Sequence, residues 1–165
     1  MLKLKFIITL LLTIFLSLPA TGFALQKGDP FPPLSGTTLQ GEQFDLISLK
    51  GQPILLKLGT TWCPTCTQQS EAIDQLHSFT TKNKIKFVEV FIQESPKTVL
   101  KNFSKTGHNS PDVILMDQGK IASKLNIYLI PRIILIDKHF NVYRDGEPIG
   151  KEALKQELQK MISIE

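Results

Sequence analysis

The sequence contains few of the residues that build metal sites. It has two cysteines and three histidines among 165 residues. A structural zinc ion takes four ligands, most often Cys and His, and no second cysteine pair is present to complete such a set. The histidines (His77, His108 and His139) are scattered along the chain. The sequence therefore predicts no metal site, and we expect no cofactor.

Long apolar runs are also lacking, except for one near the start. A short basic head precedes residues 6–18, which are apolar apart from two threonines and one serine, and small residues follow up to Ala24. This run is short for a membrane span, and the three-part layout is typical of a secretory signal peptide. We therefore predict a signal peptide over residues 1–24, with an uncleaved N-terminal anchor as the alternative. The protein is expected outside the cytoplasm, in the periplasm or a comparable compartment.

The sequence has no strong excess of charge once that segment is set aside. Two of its 19 Lys and Arg residues, Lys3 and Lys5, lie within residues 1–24, whereas all 15 Asp and Glu residues lie beyond it. The remainder is nearly neutral, so we expect no nucleic-acid partner. Its length suits a single domain over residues 25–165.

Short β-type segments and one helix are predicted in the first half of that domain. The first residues of the domain are rich in Gly and Pro and hold apolar pieces at 31–34 and 44–46, which favour an N-terminal β-hairpin or an edge piece of the sheet. Residues 54–58 form a nearly continuous apolar run, typical of a buried central strand. From Cys63 onward apolar residues recur at helical spacing, and the predicted helix ends in the polar cluster at 80–84.

A strand and a capped helix come next. Residues 86–92 are predicted as a strand that is reached from residues 54–58 by a helical crossover, so these two strands should be parallel. Ser95 supplies an N-cap and Pro96 a first-turn proline for a helix. The residues predicted on the buried face of this helix are Val99, Leu100 and Phe103.

The last third of the chain continues the alternation of strands and helices. The remaining predicted elements are a strand at 113–116, a short helix at 121–125, strands at 132–137 and 141–144 joined by a tight turn, and an amphipathic helix at 154–162. This order of elements predicts an α/β fold with a mixed central β-sheet flanked by helices.

The two cysteines, Cys63 and Cys66, are separated by two residues at the start of a predicted helix. A disulfide that closes so small a loop is a poor structural crosslink, because it removes little entropy from the unfolded chain. The pair is better suited to being made and broken. Unpaired backbone N–H groups and the helix dipole at that position favour a thiolate and lower the pKa of Cys63. Cys63 is therefore predicted as the catalytic nucleophile, and Cys66 as the thiol that resolves the mixed disulfide.

Two other kinds of cysteine site fit the sequence less well. Half of a zinc site would need two further ligands, and His77 lies within the same predicted helix. A peroxidase with a single reactive cysteine is disfavoured by a resolving thiol so close in sequence.

Pro64, between the two cysteines, does not destabilise the first helical turn, because its missing N–H has no intrahelical partner there. Disulfide exchange is the chemistry that the spacing favours.

Several motifs resemble the TlpA/ResA/CcmG-like branch of the thioredoxin superfamily, and the similarity covers essentially the whole chain after residue 24. The most specific are Trp62-Cys63-Pro64-Thr65-Cys66 and Ile130-Pro131. The others are Gly28-Asp29-Pro30-Phe31, Asp45-Leu46, Leu49-Lys50-Gly51-Gln52-Pro53, Leu55-Leu56-Lys57-Leu58, Asp117-Gln118-Gly119-Lys120 and Leu135-Ile136-Asp137.

This resemblance implies a thioredoxin fold with an N-terminal β-hairpin extension and a central βα insertion. It implies a cis peptide bond at Pro131, which faces the cysteine pair, while Ile130 presents its backbone to an extended substrate. Trp62 is expected to be exposed beside Cys63. The predicted substrate-binding residues are Trp62, Pro64, Ile130 and Pro131.

Three residues depart from the pattern of that family. Gln69 stands three residues after the second cysteine, where an acidic residue used in proton handling is frequent. Lys57 stands where Asp or Asn is frequent, and Arg132 follows the proline in place of a small polar residue. Lys57 and Arg132 either favour a thiolate at Cys63 or extend to solvent from the margin of the sheet, and the second is our expectation. No residue is assigned to a proton relay.

The function that these features imply is thiol–disulfide exchange by an exported monomer. The resemblance implies a reductant of disulfides in partner proteins that a membrane electron donor keeps reduced, and the Pro-Thr pair resembles reductants of cytochrome c maturation. A dithiol oxidase is the first alternative, because the potentials of such cysteine pairs differ widely. A copper-binding chaperone with a thioredoxin fold is the second, although that class usually has wider cysteine spacing and a downstream histidine.

Overall fold

The computed structural model describes residues 25–109 and 111–164. The predicted signal peptide and its alternative, an anchor, lie outside the described residues. Seven strands of the described part form one mixed sheet in the order β2-β1-β5-β4-β3-β6-β7. They are β1 (Ser35–Thr38), β2 (Gln43–Asp45), β3 (Ile54–Gly59), β4 (Lys86–Ile92), β5 (Val113–Asp117), β6 (Arg132–Ile136) and β7 (Val142–Gly146).

Helices flank this sheet, as the alternating pattern predicts. They are α1 (Pro64–Asp74), α2 (His77–Lys82), α3 (Pro96–Thr106), α4 (Lys120–Lys124) and α5 (Lys151–Ser163), and a 3-10 turn spans Leu46–Leu49. The predicted parallel pairing of β3 with β4 is confirmed, and β5 continues it, whereas β6 lies antiparallel to β3. No helix in the described ranges has the length and apolar character needed to cross a bilayer.

Alternate side chains of β3 enter two different cores. Leu56 and Leu58 pack with residues of β4, β6 and the N-terminal segment, whereas Leu55 packs with Ile73 of α1 and side chains of α5. Successive side chains of a strand point to opposite faces, so Lys57 lies on the same face as Leu55. The central strand therefore carries a charged side chain on the α1 side of the sheet.

The N-terminal hairpin is present, but its first strand lies later than predicted. The strand is Ser35–Thr38 rather than residues 31–34. Pro32 and Pro33 have no N–H groups to donate to a ladder, and Phe31 and Leu34 are buried in the core instead of alternating along a sheet. Apolar residues in this segment mark core packing rather than strand pairing.

The helix predicted to begin at Cys63 is divided into two. α1 ends at Asp74, and Leu76 leaves the helical conformation with φ −100° and ψ 5° before α2 begins. The turn places Leu76 in the same buried cluster as Ile73 and Ile85. Tertiary packing therefore interrupts a segment whose apolar spacing alone predicts one continuous helix.

The cap of α3 is confirmed, and one of its predicted core residues is not. The Ser95 hydroxyl accepts a hydrogen bond from the Thr98 N–H at 3.2 Å, and Gly107 closes the helix with φ 66°. Val99 is buried, but Leu100 is 53% exposed. One residue along a helix turns the side chain by roughly 100°, and α3 buries a face too narrow to include Leu100.

The segment before the hairpin lies along the free side of β7. The Gly28 N–H donates to the Val142 carbonyl at 2.7 Å, and the Val142 N–H donates to the Asp29 carbonyl at 2.8 Å. The Phe31 and Phe140 rings then meet edge to face, with centroids 5.6 Å apart. The first described residues are thus held against the last strand of the sheet.

Candidate active site

The cysteine pair lies where β3 ends and α1 begins. Cys63 is the N-cap of α1, Pro64 is its first residue, and a disulfide joins Cys63 to Cys66 with their Cα atoms 5.1 Å apart. The Cys63 Sγ accepts a hydrogen bond from the Cys66 N–H at 3.1 Å. This backbone N–H and the positive end of the helix favour a negative charge on Cys63. Cys63 is largely buried and Cys66 is completely buried.

The predicted proline lies at the same end of the sheet. The Ile130–Pro131 peptide bond is cis, in agreement with the resemblance. The β3–β6 register pairs Leu58 with Arg132, so Pro131 lies level with the end of β3, from which the chain runs on to Cys63. The topology thus brings the cysteine-bearing turn and the cis-proline loop together.

Large apolar side chains are exposed around this end of the sheet. Trp62 is 73% exposed, as predicted, and Tyr128 and Leu129 in the loop before Pro131 are 87% and 73% exposed. Sequence reasoning did not single out Tyr128 and Leu129. Their signal was available in the run of four apolar residues directly before the proline (127–130), in a segment with no predicted element.

A buried carboxylate holds the loop between β3 and α1. Glu94 follows β4, accepts a hydrogen bond from the Thr61 N–H at 2.8 Å and also binds the Thr61 hydroxyl. Sequence reasoning missed Glu94 as well. An acidic residue just after a strand that is parallel to β3 is placed to reach the loop after β3, and this was the available signal.

Lys57 does not extend to solvent, so that prediction is wrong. Its side chain is only 2% exposed, forms an ion pair with Glu89 and donates a hydrogen bond to the Ser70 hydroxyl at 2.7 Å. The parallel register places Lys57 directly beside Glu89, while Ser70 approaches from α1. Because both side chains are shielded from bulk solvent, the ion pair replaces much of the solvation that the two charges lose.

Arg132 is partly exposed and is bound by Asp145 of β7. Its guanidinium donates to both carboxylate oxygens, with Nη2 at 2.9 Å from Oδ2. The hydrogen bond from Asp145 raises the pKa of Arg132 further above its usual range, against the opposing effect of burial, and the charges of Asp145 and Glu147 add to the increase. The described contacts engage Arg132 with β7 rather than with a cysteine.

Gln69 occupies the position where the family often has an acidic residue, and its contacts are structural. Its side-chain oxygen accepts a hydrogen bond from the Ile149 N–H at 2.9 Å, which ties α1 to the loop before α5. Its amide nitrogen is buried without a hydrogen-bond partner among the described residues. The residue at the position that handles protons in the family therefore connects α1 to the loop before α5 in this protein.

A cavity of about 280 Å³ lies behind the cysteine pair, on the α1 face of the sheet. Cys66, Thr60, Lys57 and Glu89 line one part of it, and residues of α1, α2, α3, β4 and the adjoining loops line the rest. Among the described residues, no group of three or more His, Cys, Asp or Glu side chains is placed to hold a metal ion. The cavity has a mixed polar and apolar lining and is in contact with the buried cysteine.

Residues 26–158 match the Redoxin family. The chain belongs to the Redoxin family. It is 31% identical over 142 residues to thiol-disulfide oxidoreductase ResA of Bacillus cereus, a match that covers 83% of this chain and 79% of the relative. The chain is therefore a thiol–disulfide oxidoreductase of the TlpA/ResA/CcmG-like branch.

Solved structures show the same fold as this Redoxin domain. A thiol:disulfide interchange protein of Chlorobium tepidum, 24% identical, superimposes with a TM-score of 0.69 over 84% of this chain and 99% of the other. A secreted disulfide oxidoreductase of Mycobacterium tuberculosis, 21% identical, gives 0.65 over 77% and 95%. The predicted thioredoxin fold is confirmed.

Gly59 of this Redoxin domain tolerates no side chain without a shift of the active site. A Cβ atom there would lie 3.0 Å from the Cys66 Sγ. We expect Gly59→Ala to lower the free energy of unfolding by about 1–3 kcal/mol, because overpacking displaces neighbours, and to change the rate at which dithiothreitol reduces the disulfide. Gly146→Ala is the control, since its Cβ would meet the guanidinium end of Arg144 at 3.3 Å, away from the cysteine pair. Equal stability losses in the two variants would contradict the prediction.

Asp74 at the end of α1 gives the Redoxin domain a pH-dependent contact. Burial alone would raise the pKa of Asp74, but the backbone N–H of Asn109 at 2.8 Å, its side-chain amide and His108 together lower the pKa below 3.8. A carboxylate whose pKa is lowered by folding stabilises the folded state at pH values above the pKa that it has in the unfolded chain. This stabilisation is lost as the pH falls through the pKa that the carboxylate has in the folded protein.

We therefore expect Asp74→Asn to flatten part of the acid limb of stability. The wild type should lose stability as the pH falls from about 3.8, and the variant should lose less over the same interval. Urea unfolding followed by circular dichroism at a series of acid pH values measures this. Asn109→Ala, which removes the side-chain donor, should flatten the limb in the same direction, and a wild-type slope in both variants would refute the assignment.

Proposed function

We propose that the protein is an exported reductant of disulfides in partner proteins, with Cys63 as nucleophile and Cys66 as resolving thiol. The observation that carries the proposal is the position of Cys63 as the N-cap of α1, with its Sγ on the Cys66 N–H. Cys66 is completely buried, so a partner reaches Cys63 first. The two cysteines then have different roles because Cys63 keeps a small exposed area, whereas Cys66 has none.

The reaction is two successive thiol–disulfide exchanges. The Cys63 thiolate attacks one sulfur of the partner disulfide, that bond breaks, and a mixed disulfide and one partner thiolate form. The Cys66 thiolate then attacks the Cys63 sulfur, the Cys63–Cys66 disulfide forms, and the second partner thiolate leaves. Two electrons pass to the partner. A membrane electron donor then supplies two more, which reduce the Cys63–Cys66 disulfide and regenerate the dithiol.

The partner binds across the exposed apolar surface at this end of the sheet. Trp62 and Pro64 form its edge on the cysteine side, and Ile130 and Pro131 on the cis-proline side offer backbone to an extended segment. Tyr128 and Leu129 enlarge this surface. An exposed apolar patch beside a reactive group is suited to a protein chain rather than to a small polar disulfide.

Leu129 provides a test of that surface. We expect Leu129→Ser to raise KM for an oxidised, disulfide-containing protein substrate several-fold, because apolar contact with the partner is lost. The rate with a small aliphatic disulfide should not change. Leu100→Ser is the matched control, since Leu100 is also exposed but lies on α3. An equal effect of both variants, or an equal effect on both substrates, would contradict the docking role of Leu129.

Export is supported by the basic head and apolar run of residues 1–24, and by the secreted relative of the same fold. We expect mass spectrometry of the protein recovered from a bacterial host to give a chain that begins at Leu25. A chain that still carries residues 1–24 and sediments with membranes would support an uncleaved anchor instead.

The direction of electron flow is tested in cells. Rapid acid quenching and alkylation of free thiols should find Cys63 and Cys66 mostly reduced when the membrane donor is present, and mostly oxidised when it is deleted. A pair that stays oxidised with or without the donor would favour the dithiol oxidase.

Stoichiometric Cu(I) binding that is lost in Cys63→Ser, without disulfide reductase activity, would favour the copper chaperone. Accumulation of apocytochrome c with an oxidised haem-binding cysteine pair in a deletion strain would assign the protein to cytochrome c maturation.

A further inference from the structure

Two opposite charges are buried together behind the active site. Lys57 of β3 and Glu89 of β4 form an ion pair and are almost completely buried, and Lys57 also donates to the Ser70 hydroxyl of α1 at 2.7 Å. A buried ion pair stabilises a fold little or not at all compared with apolar residues of the same volume. Its presence on the central strand of a well-packed sheet is therefore more easily explained by chemistry than by stability.

This cluster adjoins Cys66. A Cβ atom built on Gly59 would lie 3.0 Å from the Cys66 Sγ and 3.9 Å from the Lys57 Cε, so both side chains border the same point. Ser70 is one turn after Cys66 on α1, and residues four apart share a helix face. Lys57, Cys66, Ser70 and Glu89 also line the same cavity.

The cavity offers a binding place for water beside these groups. The Thr60 hydroxyl lines it, is buried, and has no hydrogen-bond partner among the residues that the structure describes. Buried polar atoms are nearly always satisfied by protein or water, and a cavity of this size with polar groups in its wall has room for several water molecules. A proton could pass through such water between Cys66 and the ion pair.

We propose that Glu89, held in place by Lys57, accepts the proton of the Cys66 thiol when Cys66 resolves the mixed disulfide. The inference rests on the roles proposed above for Cys63 and Cys66. Lys57 acts as a positioning residue, because it fixes the Glu89 carboxylate through an ion pair and is itself oriented by Ser70. The cluster takes the place of the acidic residue that is frequent in the family at the position of Gln69.

The proton and electrons balance in one step. The Cys66 S–H bond breaks and its proton passes through a water molecule of the cavity to the Glu89 carboxylate. The Cys66 thiolate attacks the Cys63 Sγ, the Cys63–Cys66 bond forms, and the bond from Cys63 to the partner sulfur breaks. The partner leaves as a thiolate with the electron pair of that bond, and Glu89 returns its proton to solvent through the cavity.

Other titratable groups face the same cavity and could affect its pH dependence. Apart from Lys57, Cys66 and Glu89, they are Asp74, His77, Lys84, Lys86, His108 and Asp112. Lys86 pairs with Asp112 at 2.8 Å, and His108 lies near Asp74 at 3.8 Å. Lys86 and Asp112 are both about one-third exposed, so they provide a second Lys–carboxylate pair in the cavity that is open to water.

The test follows the two exchange steps separately. Reduced full-length protein is mixed rapidly with dithionitrobenzoate, which releases one coloured thiolate when Cys63 attacks and a second when Cys66 resolves. Glu89→Gln should leave the first phase unchanged and slow the second by about 100-fold near neutral pH, the lower range for loss of a general base. The slow phase should then accelerate with hydroxide concentration until it meets the wild-type rate. Asp112→Asn, the matched control, should keep both phases.

A second variant separates proton transfer from structural damage. Lys57→Met combined with Glu89→Gln removes both charges, so no unpaired charge is left in the core, and it should show the same slow, hydroxide-dependent second phase. A wild-type second phase and pH profile in this double variant would overturn the inference. Failure of the underlying roles has a different signature: wild-type protein would lack a second phase, or Cys63→Ser would retain the first.

Discussion

Replacing Cys63 by serine should abolish reduction of a protein disulfide, with a loss of at least about 1,000-fold in turnover. A serine hydroxyl is scarcely ionised at neutral pH and cannot form a disulfide with the partner, so the first exchange has no nucleophile. Turnover is measured with an oxidised protein substrate and a chemical donor, and urea unfolding verifies that the variant is folded.

The companion variants distinguish the roles of the two cysteines. Cys66→Ser should retain the first exchange and accumulate a mixed disulfide through Cys63, visible as a shift on a non-reducing gel. Thr65→Ser, which alters the same exposed turn without touching a sulfur atom, should remain close to wild type. If Cys63→Ser kept more than about a tenth of the wild-type turnover, or if Cys66→Ser formed no mixed disulfide, the assignment would be wrong.

The largest effect on stability is expected at Lys57. Lys57→Met should lower the free energy of unfolding by about 3–5 kcal/mol, because it leaves Glu89 as a buried charge without its partner. The loss arises from the unpaired carboxylate rather than from volume, since methionine is apolar and similar in length. Urea unfolding at neutral pH measures it.

A double-mutant cycle gives the control for this result. Lys57→Met with Glu89→Leu should be more stable than either single variant, because no charge remains buried. The partly exposed pair Lys86–Asp112 should behave differently, with losses of about 0.2–1 kcal/mol for either single variant. Additive losses at Lys57 and Glu89 would show that the two charges do not depend on each other.

The elements that could be predicted are those whose signal is local. The apolar run of β3, the strand Lys86–Ile92 and the Ser95 cap before Pro96 each depend on a few neighbouring residues, and each is present. The same holds for the placement of Cys63 at a helix N-terminus. Such features depend on the conformational preferences of a few adjacent residues and on the spacing of apolar residues within one strand or one helical turn.

The features that escaped prediction depend on contacts between distant segments. The environment of Lys57 is set by the register of β3 against β4, which places Glu89 beside it, and a lysine in isolation is correctly expected at a surface. The break at Leu76 and the exposure of Leu100 depend on which neighbours are packed against those helices. A single sequence contains these residues but not their pairing.

The contact between the first described residues and β7 has a consequence for how the protein avoids aggregation. An unpaired strand edge is a template for pairing with another chain. One outer strand of this sheet, β2, has only three residues, and the beginning of the other, β7, is covered by the backbone of Gly28 and Asp29. Proteolysis after Ala24 would leave that cover in place, whereas a cut beyond Phe31 would remove it and expose β7. The same few residues that resemble a family motif therefore limit how far the N-terminus can be trimmed.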